Sequence, residues 1–210
     1  MTDYEISLKT RGTRLQIGSG RRTLLDRLRK RAEEFGCTEI VLPSLEPVAL
    51  YIEKAGDAIL HQIYTLEDRK GRALCLRPEG TATCQLLARE VLKYDKDVKL
   101  WYETRCWRYE RPQAGRYREF TQFGVEVLNP TRDYRPELIL LAERCIREEG
   151  VPYEIAGNVK RGLAYYIEDG FEINCPSLGA QKQLVGGGTY AEGIGFAIGL
   201  DRLLLAKDTK

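Results

Sequence analysis

The sequence predicts an α+β fold, an antiparallel β-sheet flanked by helices, built as one domain over residues 1–210. Three observations carry this reading. Segments with strand character outnumber those with helical periodicity. The strands follow one another through hairpins instead of alternating with helices, which disfavours a doubly wound parallel sheet. The 210 residues also show no repeat, low-complexity tract or linker-like break, and a chain of this length can bury a sizeable core.

The elements follow in order. Arg21–Phe35 sets Leu24, Leu25, Leu28, Ala32 and Phe35 along one helical face, and Gly36 ends it. Glu39–Leu42 reads as a buried strand stopped by Pro43. Gln62–Leu66 and Arg72–Leu76 flank the polar turn Glu67–Gly71 as a hairpin, leading into a helix that starts near Pro78 or Glu79. Two long strands span Leu100 to Val127, joined by the Pro- and Gly-bearing loop Arg111–Tyr117. Asp133 and Pro136 open a further helix that closes at Gly150, after which Val151–Ile155 resumes as strand. A last helical run, Ile198–Ala206, follows a glycine cluster at 186–188, 193, 195 and 199, where glycines suit close packing of that helix on the sheet.

Composition removes several function classes. Apolar residues make up 43% and charged residues 30%, an ordinary globular balance. No apolar run approaches the ~20 residues that cross a bilayer. The charges at Asp3, Glu5, Lys9, Arg11 and Arg14 stand where a signal peptide would be apolar, so a cytoplasmic protein with no membrane partner is expected. A formal charge of +2 gives no whole-chain attraction to nucleic acid. The six cysteines lie at least nine residues apart, which leaves no C-x-x-C zinc pattern, and they are expected to be reduced and buried. With His61 the sole histidine, a Ser-His-Asp hydrolase or a multi-histidine metal site has almost nowhere to begin, and no metal-ligating set is expected.

The chemistry concentrates between Leu100 and Val127. Alternation puts Cys106, Arg108 and Glu110 on one face of the first strand and Arg118, Phe120, Gln122, Gly124 and Glu126 on one face of the second. The opposite face of the second strand carries Thr121, Phe123, Val125 and Val127, a core face. A solvent face rarely combines an aromatic, a glycine, an amide and a carboxylate with two arginines. Arginine neutralises phosphate, a ring stacks on a base, and an amide or carboxylate orients a small polar ligand. Glu79 and Thr81 stand at a helix entrance, where capping is the alternative explanation. The glycine cluster is neither a G-x-G-x-x-G fingerprint nor a P-loop, and Arg202 stands out in an apolar helix.

Leu76-Arg77-Pro78-Glu79-Gly80-Thr81-Ala82, the run from Trp107 to Gln122, and Gly195-Phe196-Ala197-Ile198-Gly199-Leu200-Asp201-Arg202-Leu203 resemble class II aminoacyl-tRNA synthetase catalytic domains. Among these, Arg161-Gly162-Leu163-Ala164-Tyr165-Tyr166 is similar to the R-G-L-D-Y-Y element of histidyl-tRNA synthetases. The resemblance covers nearly the whole chain. It implies activation of an amino acid, histidine first, with ATP and Mg²⁺, followed by transfer to tRNA. Arg108, Arg161 and Arg202 would be the catalytic residues. Arg108 would bind the α-phosphate, Glu110 the adenine amino group and Arg116 the triphosphate. Phe120 would stack on the adenine, and Arg202 would cover its other face and reach the γ-phosphate. Glu79, Thr81 and Gln122 would hold the substrate α-amino group, and Arg161 its carboxylate and phosphate. Glu126 and Tyr166 would recognise the imidazole, with Tyr165 in the same amino-acid-binding set. The first helix with Glu39–Pro43 would form a homodimer. The loop Arg111–Tyr117 is basic enough to touch the acceptor stem of a tRNA, while ATP and solvent explain its arginines equally well.

The chain departs from the family pattern at Ala164, where the family has Asp, and at Gly187-Gly188-Thr189-Tyr190-Ala191-Glu192 in place of G-G-R-Y-D-G. Neither the family's inserted domain nor an anticodon-binding domain is expected in these 210 residues. Two further readings follow from the same resemblance: adenylation with transfer to an acceptor other than tRNA, and a non-catalytic paralogue that senses histidine.

Overall fold

A computed structural model describes residues 4–8, 13–18, 20–55, 57–160 and 165–209. Strands β1 (Tyr4–Leu8) and β2 (Thr13–Ile17) pair as an antiparallel hairpin. Helix α1 (Gly20–Glu34) buries Leu24, Leu28 and Ala32. It ends at Gly36, whose φ of +87° lets the Gly36 and Cys37 N–H groups turn back to the Glu33 and Ala32 carbonyls. Strand β3 (Thr38–Glu39) is shorter than the Glu39–Leu42 expected, since after the Ile40 N–H bonds the Trp101 carbonyl the chain leaves the sheet toward Pro43.

The next strands are β4 (Leu45–Pro47), β5 (Thr65–Glu67) and β6 (Ala73–Leu76), which make a small sheet in the order β4-β6-β5. Between β4 and β5 run helix α2 (Val48–Ala55) and a 3₁₀ turn, Asp57–His61. Helix α3 (Thr81–Glu90) starts two residues later than its sequence suggested, because Glu79 serves as a cap ahead of it.

The main sheet has seven strands among the described residues, in the order β3-β7-β8-β12-β11-β10-β9. Its strands are β7 (Val98–Trp107), β8 (Glu119–Leu128), β9 (Glu154–Val159), β10 (Gly170–Asn174), β11 (Gln183–Tyr190) and β12 (Gly193–Gly199), together with β3. All neighbours are antiparallel except β3 and β7. A 3₁₀ turn, Pro176–Gln181, joins β10 to β11. Helices α4 (Arg135–Arg147) and α5 (Leu200–Asp208) complete the fold. The glycine cluster therefore belongs mainly to strands β11 and β12, and α5 begins only after Gly199. This corrects the expectation of a glycine-bearing helix.

Alternation divides the sheet as its sequence indicated. Phe123, Val125 and Val127 face one side and join Leu24, Leu28, Leu138, Ala142 and Leu203 in a core formed with α1, α4 and α5. On the other side α3 packs its Cys84 and Ala88 with Tyr102, Leu128 and Tyr190. The polar half of β8 opens on this second side, beyond the N-terminus of α3.

Candidate active site

One hollow collects Glu79, Thr81, Arg108, Glu110, Arg116, Phe120, Gln122, Tyr165, Tyr166 and Arg202. These residues come from the α3 entrance, the β7–β8 connection, β8, the segment before β10, and α5. The regular strand pairing stops at the end of β7, so Arg108 and Glu110 stand just past Trp107 and not within the strand as alternation implied. The cause is local: the Tyr109 N–H turns away to the Gln62 carbonyl at 2.7 Å.

Four guanidinium groups are held near the mouth by protein acceptors. Arg108 donates Nε to the Pro78 carbonyl at 2.9 Å, and its guanidinium carbon lies 5.2 Å from the centre of the Phe120 ring. Arg116 pairs with Glu110, which raises the guanidinium above its ordinary pKa. Arg202 donates to the carbonyls of Gly115 (2.5 Å) and Gln183 (3.0 Å), latching the connecting loop onto α5. Gly115, at φ +74°, makes the tight turn that presents that carbonyl. Burial first and the Arg108 charge second lower the Arg202 pKa, so a site built to keep these cations close favours an anion between them. Arg118 instead lies over the Tyr109 ring at 4.4 Å and donates to the Glu110 carbonyl.

The acidic end is built around the start of α3. The Glu79 carboxylate accepts the N–H groups of Thr81 (2.7 Å) and Ala82 (2.9 Å), and the Tyr165 hydroxyl stands 3.4 Å away. Capping and a binding role are thus compatible here. Burial raises the Glu79 pKa against these hydrogen bonds and the charge of Arg108. Gln122 is held from behind by the Cys106 thiol, 3.2 Å from its Oε1.

One predicted residue stands elsewhere, and another has no described position. Glu126 does not line the hollow: it is wholly buried and accepts from Thr81 (2.8 Å), Tyr102 (3.2 Å) and Tyr190 (2.8 Å) hydroxyls. Burial raises its pKa to about 7. A Cβ at Gly195, its partner across the strands, would overlap this carboxylate, and one at Gly124 would overlap the Tyr102 ring. Arg161 lies outside the described residues. Residues that sequence reasoning did not assign to the site also line it, among them Asp201, whose Oδ2 accepts the Thr121 N–H at 2.7 Å, and Gln183. Asp201 stands beside Arg202 ahead of the apolar run Leu203–Ala206, the one signal that could have marked it.

Comparison with known proteins follows this geometry. A sequence profile described as histidyl-tRNA synthetase matches residues 18–155, more than half of the chain. A histidine–tRNA ligase of Archaeoglobus fulgidus is 40% identical over 138 residues, which cover 64% of this chain and 34% of that protein. Another, from Methanospirillum hungatei, is 28% identical over 94% of this chain and 75% of its own length. The chain thus spans about a third of the length of the first of these relatives. The solved structure of a histidine–tRNA ligase subunit from Alicyclobacillus acidocaldarius superposes with a TM-score of 0.77 over 92% of this chain and 96% of its own, at 15% identity, a likeness of fold. By the profile match and the shared architecture, the chain belongs to the histidyl-tRNA synthetase family.

Proposed function

We propose that the chain activates histidine with ATP, forming histidyl-adenylate and pyrophosphate, and passes the histidyl group to tRNA in the cytoplasm. One observation supports this above the others: Arg108, Phe120 and Arg202 share a hollow with the buried carboxylate Glu79. The two arginines suit the phosphates and the ring the base of a nucleoside triphosphate, and the carboxylate suits a ligand ammonium.

The chemistry asks little of proton transfer. A carboxylate is ionised at pH 7, so one of its oxygens attacks the α-phosphorus directly while the bond to pyrophosphate breaks and its electron pair leaves with pyrophosphate. Arg108 would cancel charge growing on the α-phosphate oxygens, with Arg116 and Arg202 along the triphosphate. Glu110 and Phe120 would hold the adenine, and Glu79, Thr81, Gln122, Tyr165 and Tyr166 the amino acid. Arg161 is assigned to the carboxylate and phosphate by resemblance alone. Glu126, whose three hydroxyl donors close it off, would read the ligand ring only if Tyr102 or Tyr190 releases it.

Mg²⁺ fits the donor set. Among the described residues no three His, Cys, Asp or Glu side chains gather as a metal site, while Asp201, a carboxylate with no part in holding the adenine or the amino acid, lines the hollow. Mg²⁺ binds in that way, through one or two carboxylates plus substrate phosphates, and when bound supplies charge neutralisation at those phosphates.

No helix among the described residues is long and apolar enough to cross a membrane. Homodimerisation is supported by Val41, 85% exposed, and Leu45, 48% exposed, just beyond β3. Sedimentation should give a dimer, and a monomer at high concentration would contradict it. Amino-acid-dependent ATP–pyrophosphate exchange across the twenty amino acids, followed by transfer to total tRNA, tests the activity. Histidine-dependent exchange with transfer is expected. Exchange without transfer points to another acceptor, and histidine binding without exchange points to a sensor.

A further inference from the structure

We propose that Arg77, which lines no part of the hollow, is a positioning residue that sets the offset between the half of the site gripping the nucleotide and the half gripping the amino acid. The inference rests on the amino-acid-activating function proposed above and adds a residue to which resemblance gives no role.

Arg77 follows β6 and is the largest of the fully buried side chains. Its main chain joins two sheets: the N–H donates to the Ser44 carbonyl (3.0 Å) beside β4, and the carbonyl accepts the Trp107 N–H (2.9 Å) at the end of β7. The guanidinium repeats the link. Nη1 donates to the Pro43 carbonyl, and Nη2 donates to Thr104 Oγ1 and to the Arg105 carbonyl (2.9 Å). The working groups hang from that tie. Pro78, the next residue, offers the carbonyl that holds Arg108 Nε at 2.9 Å, and Arg108 itself follows Trp107. Glu79, one residue further, caps α3 at the amino-acid end. Beside it on the sheet, Thr104 pairs with Gln122 and Cys106 with Phe120. A shift of Arg77 against β7 would slide Glu79 past Arg108 and Phe120 without removing any of them.

Stability does not account for a cation at this place. Its acceptors among the described residues are neutral oxygens, and its Nε has none. The Glu46 carboxylate, close enough to feel its charge, accepts instead from Thr83 at 2.7 Å. A buried charge without a hydrogen-bonded counter-ion is costly, and an apolar side chain of similar volume is often as stable or more so. What an apolar side chain lacks is a fork of directional donors that fixes separate segments at once. Fixed spacing matters to this reaction, because the carboxylate oxygen must meet the α-phosphorus in line with the breaking bond to pyrophosphate. About 1 Å of misplacement costs about a hundredfold in rate.

Two variants test this by pyrophosphate exchange, calorimetry and melting. Arg77→Met should melt at or above the temperature of the unaltered protein. Since each half of the site stays intact, ATP and histidine should each bind to it as before, while kcat for histidine-dependent exchange falls about ten- to a hundredfold. A non-hydrolysable histidyl-adenylate analogue must fit both halves at once, so it should lose about tenfold or more in affinity. Thr104→Val removes one acceptor and keeps the shape, and it should lower kcat about three- to tenfold, the worth of one ordinary hydrogen bond, with both KM values unchanged. Four results would overturn the proposal: a lowered melting temperature in Arg77→Met, which would make the residue structural; weaker binding of ATP or histidine alone; an unchanged kcat in either variant; or an analogue bound as tightly as before. If the unaltered protein shows no histidine-dependent exchange, the functional reading fails, whereas exchange that both variants match refutes the positioning alone.

Discussion

Arg108 reaches the hollow because its Nε is tied to the Pro78 carbonyl and its flank rests near Phe120. A donor so placed against a reacting phosphate is worth about 3–4 kcal/mol, so Arg108→Ala should slow histidine-dependent pyrophosphate exchange about a hundredfold or more. Near-normal exchange in that variant would remove it from the catalytic set. Glu126 leads to a prediction of a different kind. Its pKa rises from an ordinary carboxylate value to about 7 on folding, so the folded protein holds a proton that the unfolded chain has released. Stability from this group is full below pH 4.5 and is lost as pH rises toward 7. Glu126→Gln should flatten that part of a plot of Tm against pH, and parallel curves for the two proteins would contradict it. Residue identities on β8 were legible from alternation alone. The three hydroxyls enclosing Glu126 were not, since Thr81, Tyr102 and Tyr190 lie on three other elements and only folding brings them together.

Helices α1, α4 and α5 converge on one carboxylate at the end of α4. Glu149 accepts both Arg27 Nε (2.5 Å) and Arg27 Nη2 (2.6 Å) from α1, and Lys207 Nζ (2.5 Å) from α5. Burial would push its pKa up, but the two cations outweigh that and hold it below the usual carboxylate range. Its contribution is therefore present above about pH 4.5 and lost as pH falls below. Glu149→Gln should cost about 2 kcal/mol in chemical denaturation near neutral pH, a figure reduced because both cations are about a third exposed. A change under about 0.5 kcal/mol would deny the clasp. The two long helices were readable because Leu24, Leu28 and Ala32, and Leu138, Ala142 and Cys145, repeat at helical spacing. The β11–β12 pair was not recognised as strands because its glycines carry no strand preference. They are tolerated because Phe171, Tyr166 and Glu126 press close to the backbone there. Helix α2 was missed because two turns give too few positions to show a period.

Across the whole molecule, the sheet holds a hydrophobic core on one face and a polar hollow on the other. The α3 entrance, the β7–β8 connection and the start of α5 meet over that hollow. The antiparallel order follows from hairpin connections that were visible as turns at Glu67–Gly71 and Arg111–Tyr117. The gathering of Arg202 beside Arg108 depends on β12 lying against β8, a pairing between segments some 70 residues apart that no local pattern announces. The central claim is that nucleotide and amino acid occupy this hollow side by side. The calorimetric affinity of a non-hydrolysable histidyl-adenylate analogue, compared with ATP and histidine separately, tests it most directly. The joined molecule should bind about a hundredfold or more tighter than either part, and an affinity no better than that of ATP alone would contradict the account.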